Sequence, residues 1–447
     1  MHTDTSPQDL LQRAIDACLK AGADAADARL SRSEGVSVSV LEGKLETIER
    51  EENAGLALRA LVGKRQAHVS GSDLSLEAVD ALAERCAVMA KAAPEDPWCG
   101  LAGPEALARD LPALDLSGDE EATPAALESD ALAAETAALA VDEVKTIGGC
   151  GASWSQAERW VAASNGFSAH RSGVWSSIGI AAVAERDGAM ERDYDSWTTR
   201  RSADRPGAEE IGRTAGERAA ARLGPRKLES RTAAVIYDRR VSASLLGALT
   251  GAISGAAIAR GVSFLKDKLG ERVFSAGVDI VDDPFRPRGL GSRNHDGEGL
   301  PVSETKLIED GVLTQWMLNG PSARQLGLKP NGFASPGFGD PPGVGGSNLY
   351  LAAGPDTPET LMRAVGEGLL VTDMFGPSIN PNTGDYSVGV AGFWFENGEI
   401  AYPVSEVTIA GDLPSMFARL QPASDLEFRG SRDAPSVLIE DMSIAGS

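Results

Sequence analysis

The side chains able to bind a metal, attack a carbonyl or move a proton are few and scattered along this chain. Its four histidines are His2, His68, His170 and His295, and no two are close enough in sequence to share a helix face. Its four cysteines, Cys18, Cys86, Cys99 and Cys150, have no C-x-x-C spacing, and no thiol follows Cys150. Transition-metal sites need His, Cys and carboxylates brought together, so a His-plus-Cys zinc site is excluded from the C-terminal half. Carboxylates remain. Asp296 and Glu298 flank a glycine in the glycine-rich loop 286–298, where they could serve as acid and base or hold Mg or Ca. Lone His295 beside them reads more simply as a loop hydrogen-bonder. No G-x-S-x-G nucleophile elbow occurs, and the glycines of 289–291 and 343–346 lack the Lys and Thr of a phosphate loop. Cys150, between two glycines in an expected strand, reads as a buried packing residue.

What must position these residues is an α+β chain of 447 residues, long enough for two or three domains. Apolar positions at Leu10, Leu11, Ile15 and Leu19 predict an opening helix. Strands follow at 26–31, 36–50 and 55–70, with Glu42-Gly43 and Gly63-Lys64 as turn signals, then a helix over 74–92. The same order returns: a helix over 123–143, strands at 146–154, 159–163, 174–184 and 190–199, and a helix over 211–223. The acidic, turn-rich segment 115–123 reads as a linker between the two halves. This predicts domains at 1–110 and 111–227, each with helices on one face of an antiparallel sheet.

A third domain, 228–447, opens with a strand at 233–237 that feeds an uncharged helix over 241–259. Gly247, Gly251 and Gly255 recur there at four-residue spacing, each costing roughly 1 kcal/mol of helix propensity against Ala. That pattern predicts a helix face against which a neighbour packs too closely for side chains. A membrane span is the sharp alternative. Ser, Thr and Gly fill seven of its 19 positions, no Trp or Tyr marks either end, and no second apolar span exists, so a buried core helix is preferred. Short strands and glycine turns follow, including a long loop at 331–347 with nine glycines and prolines, a length often tied to function. The strongest hairpin signal is Asn397-Gly398. The expected domain is mainly β, wrapped around the glycine-spaced helix.

A formal charge of -23 repels phosphate backbones. No basic patch offsets it: the arginines of 200–240 are interleaved with glutamates and read as a solvated helix face. Neither a nucleic-acid nor a membrane partner is expected. Cysteine usage and the absence of an opening signal peptide point to a reducing cytoplasm.

Several segments together resemble the TldD/TldE family, whose TldE member is also called PmbA and was once named for modulation of DNA gyrase. They are GVSVSVLEGKLETIERE from Gly35, GVSFLKDKLGERVFS from Gly261, HDGEGLPVSETKLIEDGVL from His295, GGSNLYLAAG from Gly345 and the segment from Asn380 to Gly411. The resemblance spans nearly the whole chain. It implies a metalloprotease family acting on unfolded or extended peptides, with H-E-x-x-x-H of the TldD subunit on the central helix and a late cysteine completing its zinc site. Here those three positions fall on Leu246, Gly247 and Gly251, and the late cysteine is missing. The resemblance therefore implies the metal-free TldE/PmbA type, with no cofactor on this chain and zinc on a TldD-like partner. Peptidase activity is expected only in that complex. Peptide-lining residues implied by matching segments are His295, Asp296, Glu298, Asn348, Asn380, Asn382 and Asp385, for each of which turn or loop capping is the plainer role. Two rivals stand beside this reading: a self-standing hydrolase using Asp296 and Glu298, and a non-enzymatic adaptor. Homodimerisation of the isolated chain stays open.

Overall fold

The first helix, α1 (Pro7–Lys20), is set by its ends: Ser6 accepts a hydrogen bond from the Asp9 N–H, and Pro7 occupies the first turn, where its missing donor costs nothing. The computed structural model describes residues 5–446, so His2 lies outside the described residues. The chain then runs through β1 (Ala25–Leu41), β2 (Lys44–Val62), β3 (Arg65–Gly71) and α2 (Leu76–Ala92). After an irregular stretch come α3 (Pro124–Leu139), β4 (Val144–Ala163), β5 (Ser168–Arg186), β6 (Ala189–Thr199) and α4 (Ala208–Ala221). The expected turns are present. Glu42-Gly43 takes positive φ at its two central residues, the geometry a two-residue hairpin requires, and the turn at Asp187-Gly188 between β5 and β6 does the same. The separate strands expected at 26–31 and 36–50 are instead one strand, β1, and its return partner. The pairs at 146–154 and 159–163 likewise merge into β4, because neither Ser33-Glu34-Gly35 nor Ser155-Gln156 breaks the ladder.

Strand order β3-β2-β1-β4-β5-β6 makes one six-stranded sheet, with β1 and β4 pairing antiparallel from Asp27↔Ala163 to Val40↔Cys150. All four helices cover the same face. Leu30, Leu56 and Leu58 meet Leu10, Leu11, Ile15, Val79 and Cys86 of α1 and α2. Val36, Val38, Trp154, Ile178 and Ile180 meet Leu127, Ala134, Ile211 and Ala215 of α3 and α4. Strand alternation then turns Arg29, Ser31, Ser33, Gly35, Ser37 and Ser39 to the opposite face. Along β1 that face is mostly small and polar, and among the described residues no helix covers it.

The C-terminal part is built on a closed ring of five strands: β7 (Arg231–Tyr237), Gly368–Ile379, Asp385–Glu396, Glu399–Asp412 and Val437–Ala445. β7 pairs parallel with Gly368–Ile379 and antiparallel with Val437–Ala445, and Thr408↔Ala445 closes the ring. The Asn397-Gly398 hairpin is present, with φ of 53° and 76°. Helices Gly320–Leu326 and Leu413–Arg419 and the strands Gly368–Ile379 and Val437–Ala445 were not expected from the sequence.

β7 leads into α5 (Arg239–Ala252), capped by Asp238, whose carboxylate accepts from the Arg240 N–H at 2.9 Å. Leu245, Leu246, Leu249 and Ala252 are buried in the main core. The helix does not continue to 259. The Gly255 N–H donates to Met317 O at 2.8 Å and the Met317 N–H to Ile253 O at 3.0 Å, so the chain breaks there and restarts as α6 (Gly255–Arg260). The three glycines therefore do not form one close-packed face. A Cβ at Gly255 would lie 2.9 Å from Met317 O and 2.8 Å from Leu318 Cδ2, whereas one at Gly251 meets nothing within 4 Å. Gly247 would meet only the mobile end of Arg432, at 3.1 Å. No helix among the described residues is long and apolar enough to cross a membrane.

The last two glycines, Gly251 and Gly255, should respond oppositely to the same added methyl. Gly251→Ala should raise stability by up to about 1 kcal/mol through helix propensity. Gly255→Ala should lower it by about 1–3 kcal/mol through overpacking. Thermal unfolding of the two variants checks this; equal shifts would contradict it.

Candidate functional site

The open face of the six-stranded sheet is roofed at one end by C-terminal loops, leaving a cavity of about 640 Å³. Its floor follows the register. Asn53, Ser33, Ala157 and Gly173 form one row across β2, β1, β4 and β5; Gly55, Ser31, Arg159 and Arg171 form the next. The roof comes from Leu290 to Gly297 and from Ser335 to Phe338, the latter inside the long loop whose length alone suggested function.

Of the residues marked in the sequence, His295 and Asp296 line this cavity. Asp296 is a loop organiser. Its Oδ1 accepts from the Glu298 and Leu300 N–H groups, both at 2.9 Å, and its Oδ2 from the Ala334 N–H at 3.2 Å. Burial raises its pKa above the ordinary carboxylate range, and those three donors pull it back. His295 donates from Nδ1 to the Asp296 carbonyl at 2.8 Å and sits edge-on to Phe167; burial lowers its pKa to about 4, so it is a neutral ring. Glu298 lies behind the loop, with Oε2 accepting from the Gly320 N–H at 2.5 Å and Oε1 buried without a partner. Its pKa is raised by burial.

The other marked residues do not join them. Asn348 is fully buried and ties loops together: Oδ1 accepts from Gly291 N–H at 2.8 Å, and Nδ2 donates to Asp283 O and Ser292 Oγ. Asn380, Asn382 and Asp385 lie at the turn between Gly368–Ile379 and Asp385–Glu396 and bond locally. Asn380 Oδ1 caps the Asn382 N–H at 3.0 Å, and Asp385 accepts from Thr383 Oγ1 at 2.6 Å. None of the three lines the cavity, and α5 does not line it either.

The sequence did not single out the cavity's arginines. Arg29, Arg159, Arg171, Arg200 and Arg293 all face it. Arg200 is a correction to the expected solvated stretch 200–240: it is 2% exposed, donates to Val174 O at 3.0 Å and Leu290 O at 3.1 Å, and stacks on Trp175. Arg222 and Arg240 in the same stretch are also withdrawn from water, paired with Asp193. The cue available was Arg29-x-Ser31-x-Ser33 and Arg159-x-Val161, which alternation puts on one side; it carries meaning only once the unhelical face is known.

Comparison with known proteins gives the fold a family. Models of the PmbA/TldA metallopeptidase match over most of the length: domain 1 at residues 26–90, the central domain at 118–223 and the C-terminal domain at 230–446. Metalloprotease PmbA of Escherichia coli O157:H7 is 35% identical over 444 residues, covering 98% of this chain and 96% of its own. The chain belongs to the PmbA/TldA metallopeptidase family. A Metalloprotease PmbA homolog of Haemophilus influenzae is 32% identical, covering 97% of this chain and 95% of that one. Among solved structures, a Bacteroides thetaiotaomicron protein described as a modulator of DNA gyrase superposes with TM-score 0.91 at 25% identity, covering 99% of this chain and all of its own. TldE of Thermococcus kodakarensis superposes at 0.87 with 22% identity, covering 98% of this chain and all of its own, a likeness of fold.

For this PmbA/TldA member the zinc expected of a metallopeptidase finds no donor set at the helix. Leu246 carries no electron pair to give and is packed in the core; Gly247 and Gly251 have no side chain. Among the described residues no three His, Cys, Asp or Glu side chains come together to hold a metal. All four cysteines are free and buried.

The neutral His295 has a measurable consequence. Its folded pKa of about 4 is below its ordinary 6.5, so the unfolded chain takes up the proton first. The stability it contributes is full above pH 6.5 and is lost as pH falls toward 4. Replacement by Gln removes that loss. Urea midpoints at pH 7 and pH 4.5 should therefore differ less for His295→Gln than for the wild type. His68, also lowered to about 4 by burial, leaves part of the slope in both proteins.

Proposed function

We propose that this chain is the metal-free, TldE-type subunit of a metallopeptidase complex. A TldD-like partner carries the zinc, and this chain helps enclose extended or unfolded peptides. What supports the reading most is donor chemistry: Leu246, Gly247 and Gly251 stand where the resemblance places zinc ligands, and none can coordinate. The fold likeness to a protein named TldE agrees with it, as does a helix-free sheet face of small polar side chains, suited to lie along a peptide. Four free, buried thiols suit a reducing cytoplasm. Asp296 and Glu298 make a poor catalytic pair for a self-standing hydrolase. Three oxygen contacts of Asp296 and one of Glu298 already go to backbone N–H groups, which leaves Asp296 little freedom to move a proton.

In this arrangement a metal held by the partner would supply the activated water, and the present chain supplies binding and enclosure. An unstructured peptide incubated with the chain alone should stay intact. Cleavage should appear on adding a TldD-like chain bearing H-E-x-x-x-H, and should be unchanged within about threefold by Glu298→Gln in this subunit. Cleavage by the lone chain that Glu298→Gln abolishes would instead establish the self-standing hydrolase.

A further inference from the structure

Arg29 has a counter-charge in Asp27 at 3.5 Å, but among the described residues the other four cavity arginines, Arg159, Arg171, Arg200 and Arg293, make no ion pair. Arg159 and Arg171 are direct cross-strand neighbours on β4 and β5, a placement in which like charges repel. Arg171 donates to Ser292 O at 3.3 Å, and Arg200 to the carbonyls of Val174, Gly289 and Leu290. Neutral carbonyls fix the direction of a guanidinium without balancing its charge. Burial and neighbouring arginines, with no carboxylate among the causes, bring both pKa values down to about 10. Arg293 is 6% exposed and is held by Gly332, Ala334 and Gly345 carbonyls. Its nearest carboxylates, Asp282 and Asp296, are already engaged, Asp282 by Ser347 and Asp296 by the loop. The Nε–H groups of Arg200 and Arg293 are buried with no acceptor. Buried arginine is ordinarily paired, because an uncompensated charge out of water costs several kcal/mol. Within a protein of net charge -23, where carboxylates are plentiful, these four guanidiniums facing one cavity without an ion-pair partner among the described residues mark a place for a charge from outside.

We propose that the cavity is a subsite for a peptide carboxylate, gripped by Arg159, Arg171 and Arg200. This rests on the peptide-binding reading above and names the substrate feature recognised. Trp175, Phe338, Leu116 and Leu290 supply an apolar wall beside the arginines, so the acid arrives next to an apolar side chain. The volume fits one or two residues, and the overall negative field disfavours a polyanion track. The carboxylate has two sources, the C-terminus of the peptide or a Glu or Asp side chain within it.

Fluorescence anisotropy on the full-length chain alone tests this with three N-terminally labelled tetrapeptides: one ending in leucine as the free acid, its C-terminal amide, and an amide carrying Glu before the leucine. The free acid should bind at least tenfold tighter than the plain amide if the terminus is the source; the Glu amide should do so if the side chain is. Arg171→Gln should erase that preference without lowering the melting temperature, since it removes an unpaired charge. Arg159 is exposed, so Arg159→Gln keeps the fold and should weaken the preferred peptide several-fold. Equal binding of all three peptides, preference surviving both variants, or tighter binding of a single-stranded oligonucleotide would overturn the proposal. Lost acid preference with partner-dependent cleavage intact removes this inference alone. Acid preference without any cleavage in the complex removes the functional reading alone.

Discussion

Two-residue alternation along β1 is the constraint from which the rest follows. Leu30, Val36, Val38 and Val40 turn to one side and must be covered, which fixes α1 to α4 on a single face. Arg29, Ser31, Ser33, Gly35, Ser37 and Ser39 then turn to the other, where no helix lies. A one-residue slip in register would exchange the two faces. Seventeen paired positions between β1 and β2 and a nearly unbroken ladder between β4 and β5 hold that register. Because the helix–strands–helix order occurs twice and β1 pairs with β4, the two halves extend one open face rather than closing each other off.

The C-terminal part completes what the sheet leaves unfinished. Its five-stranded ring anchors loops that reach over the open face, and polar side chains set those loops in place. Asp296 gathers three N–H groups, Asn348 bridges Gly291, Ser292 and Asp283, and Arg29 donates to Gly297 O at 2.6 Å. Leaving any one of the buried donors unmade costs about 1–3 kcal/mol, so these residues serve geometry first. The chain thus carries polar chemistry around its cavity that is structural, and cationic chemistry within it that is unspent.

Legibility from sequence tracked locality. The opening helix, the helix starting near Thr123 and the turns at Glu42-Gly43 and Asn397-Gly398 depend on residues within a few positions of each other, and they were readable. The break in the central helix was not, because it depends on Met317 docking beside Gly255, sixty-odd residues away in the chain. Strand Gly368–Ile379 was missed for a local reason: although it pairs with nearby Asp385–Glu396, its register shifts twice, at Val371/Asp373 and Phe375/Ser378, and Gly376-Pro377 interrupts its alternation. At the site, His295 and Asp296 were found because they stand in one loop with the resembling segment. The arginines were hidden: they come from four separate stretches, Arg159 and Arg171 meeting through the sheet register, Arg200 following the end of β6 and Arg293 reaching in from the roof loop. Asn380, Asn382 and Asp385 carried a resemblance but sit on a turn of their own.

Under the proposed function the catalytic metal sits on the partner, and metal stoichiometry of the isolated chain is the most direct measurement. Chain purified alone, equilibrated with zinc and passed through desalting should retain well under one zinc per polypeptide, while a co-purified complex with a TldD-like partner retains one per heterodimer. One tightly held zinc per isolated chain would contradict the account, because it would require a donor set that Leu246, Gly247 and Gly251 cannot supply.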